Sequence, residues 1–219
     1  MISPDSWPPL PLAAWQDTKD TLHMWLQIVG KVRLAHAAPV NHWWDATLHV
    51  TPRGLTTTSI AHPAAVFSID FDFIDHSLAV HTDTGDARVL PLAARPVATF
   101  YTELMTALRS LGVETRIRTQ PDEVPDAIPF DQDEAHSSYD PEYATRFWRA
   151  LLQSTRVLQS FRARFLGKAS PAHFFWGSMD LAATRFSGRG APPHPGGVPG
   201  LADWVTREAY SHELSSAGW

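Results

Sequence analysis

The chain contains no cysteine among its 219 residues. Disulfide bonds, thiolate catalysis, cysteine-ligated zinc and iron–sulfur clusters are therefore excluded. Lysine is also scarce, with three residues against fifteen arginines. The single asparagine, Asn41, is followed by His-Trp and so does not begin a glycosylation sequon.

Long apolar runs are missing as well. No stretch approaches the roughly 20 apolar residues of a membrane helix, and residues 1–11 have neither the basic start nor the apolar core of a signal peptide. We therefore expect a cytoplasmic protein without a membrane partner. A net charge of −5 argues against a general nucleic-acid binder. The basic face of the helix predicted at 141–166 is better explained by solvent or by docking with the acidic segment before it.

What the chain has is a globular composition, 44% hydrophobic and 19% charged, with nine tryptophans. Its length fits one domain over residues 1–219. Apolar periodicity and turn signals predict helices and strands along the whole chain. The predicted helices are 12–35, 96–111 and 141–166, and the predicted strands are 46–50, 55–60, 66–73, 78–81, 88–90, 113–118, 172–186 (one strand or two) and 205–214. This order favours an α+β fold, an antiparallel sheet packed against three long helices.

Two segments interrupt this pattern. Residues 119–142 contain four prolines and eight acidic residues but no lysine or arginine. A loop of that length in a compact domain is usually functional or mobile. Residues 188–200 form a second loop, rich in glycine and proline.

The first helix carries a polar row within a wide apolar surface. His23, Gln27 and Lys31 are spaced four residues apart and so share one face. They could present a base, an amide and a cation to one ligand, or they could form the solvent face of an amphipathic helix. Gly30 beside them would allow a close approach. Arg33 lies on the apolar side and should have a carboxylate partner or a polar cavity.

Acidic residues alternate with apolar ones in the strand predicted at 66–73. Asp70 and Asp72 lie on the same face, about 7 Å apart by strand rise. Such a pair, followed by Asp75 and His76, suits general acid–base chemistry or a divalent metal. A solvated outer sheet face explains the alternation equally well.

Aromatic residues accompany polar ones at two further places. His42, Trp43 and Trp44 follow one another at a helix-to-strand junction, where an extended chain would direct at most one indole into the core. Trp176 lies in a Phe-Phe-Trp-Gly segment. These indoles could line a ligand pocket or an interface, although core packing accounts for most tryptophans.

Near the glycine-rich loop, Asp180, Arg185 and Arg189 form another polar group. Arginine forks suit carboxylate or phosphate groups, so an anionic ligand is expected here. A structural ion pair between Asp180 and an arginine is the alternative. Gly188-Arg189-Gly190 lacks the context of a phosphate-binding loop.

His212 and Glu213 lie close to the C-terminus. They lack the second histidine of a zincin helix, and a Gly-x-Ser-x-Gly nucleophile motif is absent from the chain. No residues are assigned as metal ligands and no cofactor is indicated by a motif.

These motifs together resemble an uncharacterised bacterial family of unknown function. The segments that carry the resemblance are 22–25, 27–31, 41–44, 69–76, 174–177, 184–189 and 210–213. The resemblance covers nearly the whole chain in one order. It implies a single-domain bacterial protein with these polar signature residues, and it implies no particular activity. Members of that family tend to continue past the position of Trp219, which implies a truncated C-terminus here.

The leading hypothesis is a small-molecule pocket used for histidine acid–base catalysis. In it His23, His42, Asp70, Asp72, His212 and Glu213 would serve catalysis. Ligand contacts would come from Gln27, Lys31, Arg33, Trp43, Trp44, Trp176, Asp180, Arg185 and Arg189, with the arginines holding an anionic group. The alternatives are a non-catalytic binding or interaction module, including a homodimer that buries Trp43 or Trp176, and a metal-dependent hydrolase or oxidoreductase.

Overall fold

A computed structural model describes residues 7–218 of the chain. The helices are α1 (Leu12–His36), α2 (Val97–Ser110), α3 (Pro141–Ala163) and α4 (Asp203–Ala209), with 3-10 helices at Asn41–Ala46 and Phe130–Gln132. The strands are β1 (His49–Val50), β2 (Gly54–Thr56), β3 (Ile60–His62), β4 (Ala65–Asp72), β5 (Ser77–Thr82), β6 (Ala87–Pro91), β7 (His173–Phe175), β8 (Asp180–Gly190) and β9 (His212–Gly218).

The strands form two antiparallel sheets. In the first, the order is β1-β2-β4-β5-β6, and β3 pairs with the other end of β4. The second has the order β7-β8-β9. A bridge between Leu48 and Phe174 joins the sheets. The predicted α+β class with three long helices is confirmed, and the strands divide into two sheets rather than one.

Local signals explain the main elements. On β4 the aromatic and aliphatic side chains Phe67, Ile69 and Phe71 are buried, as strand alternation requires. The carboxylate of Asp140 accepts hydrogen bonds from two backbone N–H groups at the start of α3, and Pro141 occupies the first helical position. Both features are ones that favour the start of a helix at this point of the sequence.

Helix α1 is buried along most of its length, because α2, α3, β3 and the 3-10 helix at 41–46 pack around it, and the 119–142 segment and the turn after β7 cover its polar row. Residues 24–33 are all buried, including Gln27 and Lys31. The interpretation of the polar row as a solvent face is therefore wrong. A buried polar row needs protein partners, and it finds them in segments distant in the sequence.

Two predicted strands are wrong in whole or in part. Residues 113–118 form no strand, since the N–H of Val113 bonds back to the carbonyl of Leu108 and closes the end of α2. Residues 203–209 form α4, and only 212–218 are a strand. Within the described range 7–218, no helix combines the length and apolar character needed to cross a membrane.

Candidate functional site

A cavity of about 710 Å³ lies between the end of α1, the 3-10 helix at 41–46, strand β8 and the segment 198–210. Its volume is in the range of small-molecule sites. One wall is aromatic and is formed by Trp43, Trp44, Phe175, Trp176, Phe186 and Trp204. The charged side chains at the cavity are Lys31, Arg116, Arg118, Asp122, Glu123 and Asp180.

The 3-10 helix places an imidazole and two indoles on the cavity wall. His42 and Trp43 both have left-handed backbones, with φ of 62° and 59°. Non-glycine residues in this region cost about 1–2 kcal/mol each. The extended conformation expected here is therefore wrong, and the sharp reversal is the reason that both Trp43 and Trp44 reach the cavity. Arg33 supports the helix, because its Nε donates to the carbonyl of Asp45 over 2.7 Å.

His42 is 7% exposed and its two ring nitrogens are in different situations. Nδ1 lies 3.1 Å from the carbonyl of Ala209 and must donate to it. Nε2 forms no hydrogen bond with any residue in 7–218 and keeps its lone pair at the cavity. The ring packs against Phe186, with centroids 4.7 Å apart. An anchored ring with a free nitrogen is suited to accept a proton from a bound molecule.

The polar row on α1, formed by His23, Gln27 and Lys31, holds neighbouring segments of the cavity wall in place. Gln27 makes two hydrogen bonds of 2.8 Å with the backbone of Asp122, one to its carbonyl and one from its N–H. Lys31 Nζ lies 2.6 Å from the Asp122 carboxylate. Burial lowers the pKa of Lys31, and the Asp122 carboxylate opposes this effect. The row thus fixes the start of the acidic segment against the helix.

His23 also connects α1 to the segment that follows β7. Its Nε2 donates to the carbonyl of Gly177 over 2.8 Å, so this nitrogen is already occupied. Burial lowers the pKa of His23 below its ordinary value, while the Gly177 carbonyl opposes the shift. His23 is absent from the cavity wall. Its position favours a structural role over proton transfer.

Trp176 is the central indole of the site. Its Nε1 donates to the carbonyl of Ala46 over 2.6 Å, and the residue is 6% exposed. The indole packs so closely on α1 that a β-carbon at Gly30 would lie 2.2 Å from Cδ1. The close approach expected at Gly30 is therefore present, and its partner is the protein's own tryptophan.

Two carboxylates share the polar end of the cavity. Glu123 and Asp180 both line it, and the hydroxyl of Ser178 donates to Glu123. Glu123 lies so close to Gly177 that a β-carbon there would be 2.0 Å from Oε1. Burial raises the pKa of Asp180, and the charge of Glu123 raises it further. Neither carboxylate has a lysine or arginine nitrogen within 4 Å in the described part of the chain, so the expected Asp180–arginine pair is not formed there.

Several predicted site residues lie away from the cavity. On β8 the side chains of Asp180, Ala182, Thr184 and Phe186 face the cavity, and strand alternation therefore turns Arg185 to the other side. There its guanidinium carbon lies 3.5 Å from the ring centroid of Phe161.

Arg189 and Glu213 form an exposed ion pair with each other. The other acids singled out in the sequence lie on the outer face of β4. Asp70 accepts a hydrogen bond from Ser68, and Asp72 pairs with Arg53. Asp70 and Asp72 lie on this face because side chains alternate along a strand, and the apolar residues of β4 occupy the buried face.

His212 occupies an intermediate position. Its ring lies 5.2 Å from that of His42, edge to face, but it is exposed and does not line the cavity. Within residues 7–218, no three histidine, aspartate or glutamate side chains are grouped as they would be around a metal ion.

Comparison of the sequence with known protein families gives a match over nearly the whole chain. A family model described as a family of unknown function, DUF5996, matches residues 7–219. The chain belongs to the DUF5996 family. No curated protein and no solved structure matches it. The resemblance to an uncharacterised family is thereby confirmed, and the chemistry of this DUF5996 member must be argued from its own side chains.

Sequence reasoning missed several cavity residues. Glu123 and Asp122 were hidden among the eight acids of the 119–142 segment, whose unusual composition was the only signal. Trp204 lies just before the strand predicted at 205–214, and it reaches the cavity because residues 203–209 are helical. The contact of Gln27 with the Asp122 backbone spans 95 residues, and no local pattern announces it.

Proposed function

We propose that this protein binds a small organic molecule in the cavity and transforms it by acid–base chemistry at His42. One observation carries the proposal: the buried imidazole of His42 keeps an unpartnered Nε2 at an aromatic-lined cavity of about 710 Å³. This nitrogen is not sealed in the core, so a molecule in the cavity can reach it and become its hydrogen-bond partner.

The remaining side chains support that role. The indoles offer flat apolar surface for an organic ring or chain. The bond from Nδ1 to the Ala209 carbonyl selects the tautomer in which Nε2 is the acceptor. Backbone strain at His42 and Trp43 is of the kind that proteins retain where it positions functional groups.

The test compares three proteins incubated with a bacterial metabolite extract and followed by untargeted mass spectrometry. Asparagine tolerates a left-handed backbone, and its side-chain N–H can replace the Nδ1 donor but not Nε2. We therefore expect the wild type to consume a compound and His42→Asn to consume it about 100-fold more slowly. His81→Asn, a change to an exposed histidine on β5 that does not line the cavity, should keep the wild-type rate.

Two results would contradict the proposal. Equal turnover by wild type and His42→Asn would remove His42 from the chemistry. A compound bound by both proteins and released unchanged would show a non-catalytic binding module instead.

A further inference from the structure

The polar end of the cavity carries two carboxylates that have no cation within 4 Å among residues 7–218. Glu123 and Asp180 both line the cavity, and among residues 7–218 neither forms an ion pair. The hydroxyl of Ser178 donates to Glu123, and the lack of a side chain at Gly177 lets the Glu123 carboxylate lie close to the backbone there. Two adjacent carboxylates without a cation repel each other, and a positive ligand would relieve that repulsion.

Three basic side chains also line the cavity, and none of them lies within 4 Å of the Glu123 or Asp180 carboxylates. Lys31 is paired with Asp122 at 2.6 Å. Arg118 lies 3.7 Å from the same carboxylate, donates to the carbonyl of Gly200 and is largely exposed. Arg116 is exposed to solvent. Lys31 and Arg118 therefore lie near Asp122, and Arg116 is in contact with solvent, so none of the three forms an ion pair with Glu123 or Asp180.

The aromatic wall fits the same kind of ligand. Indole faces attract cations more strongly than the faces of the other aromatic side chains do. The protein already holds one ammonium group in this way, because Lys31 Nζ lies 5.7 Å from the ring centroid of Trp176 and is bound by a carboxylate. Trp43 and Trp204, with ring centroids 5.4 Å apart, provide further indole surface at the cavity.

A separate observation concerns His42, which lines the same cavity. His42 is more than nine-tenths buried, and its Nε2 has no partner within residues 7–218. This nitrogen does not belong to the carboxylate pair. The carboxylates and the imidazole thus point independently to an occupant of the same cavity.

We infer that the ligand carries a cationic nitrogen, an ammonium group bound between the indole wall and the carboxylates of Glu123 and Asp180. The inference rests on the proposed function, since it names the ligand class of the same cavity. It replaces the anionic ligand expected from Arg185 and Arg189, whose side chains are directed elsewhere.

Three probes of similar size and different charge test this inference: benzylammonium, benzyl alcohol and benzoate. Their affinities are measured by NMR titration, following the indole N–H signals. Benzylammonium should bind about tenfold more tightly than benzyl alcohol, a ratio consistent with cation–π and carboxylate contacts together. Raising the salt concentration should reduce this ratio, because dissolved ions partly screen the charges of Glu123 and Asp180.

The double variant Glu123→Gln/Asp180→Asn should abolish the preference for benzylammonium and leave the affinity for benzyl alcohol unchanged. The matched control is Asp70→Asn/Asp72→Asn, which removes the same charge from the outer face of β4 and should leave the preference intact. The single variants Glu123→Gln and Asp180→Asn each should show an intermediate ratio, so the result does not depend on the folding of the double variant.

The outcomes separate the inference from the proposed function. Tightest binding of benzoate, equal affinities of the three probes, or a preference that survives in the double variant would overturn the cationic ligand while small-molecule binding stands. If no probe and no compound of the metabolite extract shifts the cavity indoles, the proposed binding function itself fails.

Discussion

Lys31 on α1 and Arg53 beside β4 each pair with an aspartate, but their surroundings differ. Lys31 and Asp122 have side chains 7% and 10% exposed, and the pair joins segments 91 residues apart. Arg53 is half exposed and bonds Asp72 and Asp75 across a neighbouring strand and turn. The polar row on α1 is enclosed by the second sheet and the acidic segment, whereas the outer face of β4 remains in contact with solvent.

This difference shows why similar sequence patterns lead to different roles. Both regions present polar residues at a regular spacing, and each pattern was compatible with a site. Burial changes the energetics, because a desolvated charge requires a specific partner whereas water solvates an exposed one. The enclosed row therefore positions the cavity, while the acids of β4 form local surface contacts.

The largest expected effect comes from breaking the buried pair. Lys31→Met leaves the Asp122 carboxylate buried without its main partner, so the free energy of unfolding should fall by about 3 kcal/mol. Arg53→Met on the exposed pair should change it far less, because solvent screens that pair. Urea titration followed by circular dichroism measures both. Equal losses in the two variants would contradict the contrast between the regions.

The next effect tests the packing of α1 on the cavity. Gly30→Ala in an exposed helix would stabilise the protein by about 1 kcal/mol. Here the added carbon would lie 2.2 Å from the Trp176 indole, so a loss of about 2 kcal/mol is expected instead.

Gly190→Ala is the matched control, because the nearest atom to its added carbon is 3.9 Å away. Thermal unfolding curves, with the near-ultraviolet signal of the tryptophans, report both variants. A Gly30→Ala protein as stable as the wild type, with unchanged tryptophan signals, would show that the contact is not tight.

The smallest effect concerns the backbone at His42. His42→Gly should be more stable than His42→Ala by about 1 kcal/mol, since glycine adopts the left-handed conformation without a steric cost. At Asp70, in the middle of β4, the order should be reversed, with alanine above glycine. Comparing the two pairs by chemical denaturation cancels the loss of each side chain. An alanine variant at His42 as stable as the glycine variant, or more stable, would argue against strain at this residue.

Much of the fold could be predicted because its signals are local. The cap at Asp140 and the alternation of Phe67, Ile69 and Phe71 depend on neighbours a few residues apart. The strands predicted at 113–118 and 205–214 were wrong in whole or in part, because short apolar runs do not distinguish strand from helix or loop. Hydrogen bonds within a few residues decided both segments, as in the bond from Tyr210 N–H to the carbonyl of Thr206.

The candidate site was predictable only in part. His42, Trp43, Trp44 and Trp176 were singled out because aromatic and polar residues stand side by side in the sequence. The pairing of Glu123 with Asp180 was not predictable, since 57 positions separate them and neither lies in a motif. Arg185 was misplaced because its side of β8 depends on how the strand is packed.

The sequence by itself determined the absence of thiol chemistry, the α+β class, the polar row on α1 and the richness in tryptophan. Tertiary structure alone decided which polar residues are enclosed and which meet solvent. Spacing along a helix or strand specifies which side chains share a face, but not what covers that face. At α1 the cover is the 119–142 segment and the second sheet, and that contact turns a row of polar residues into the support of a cavity.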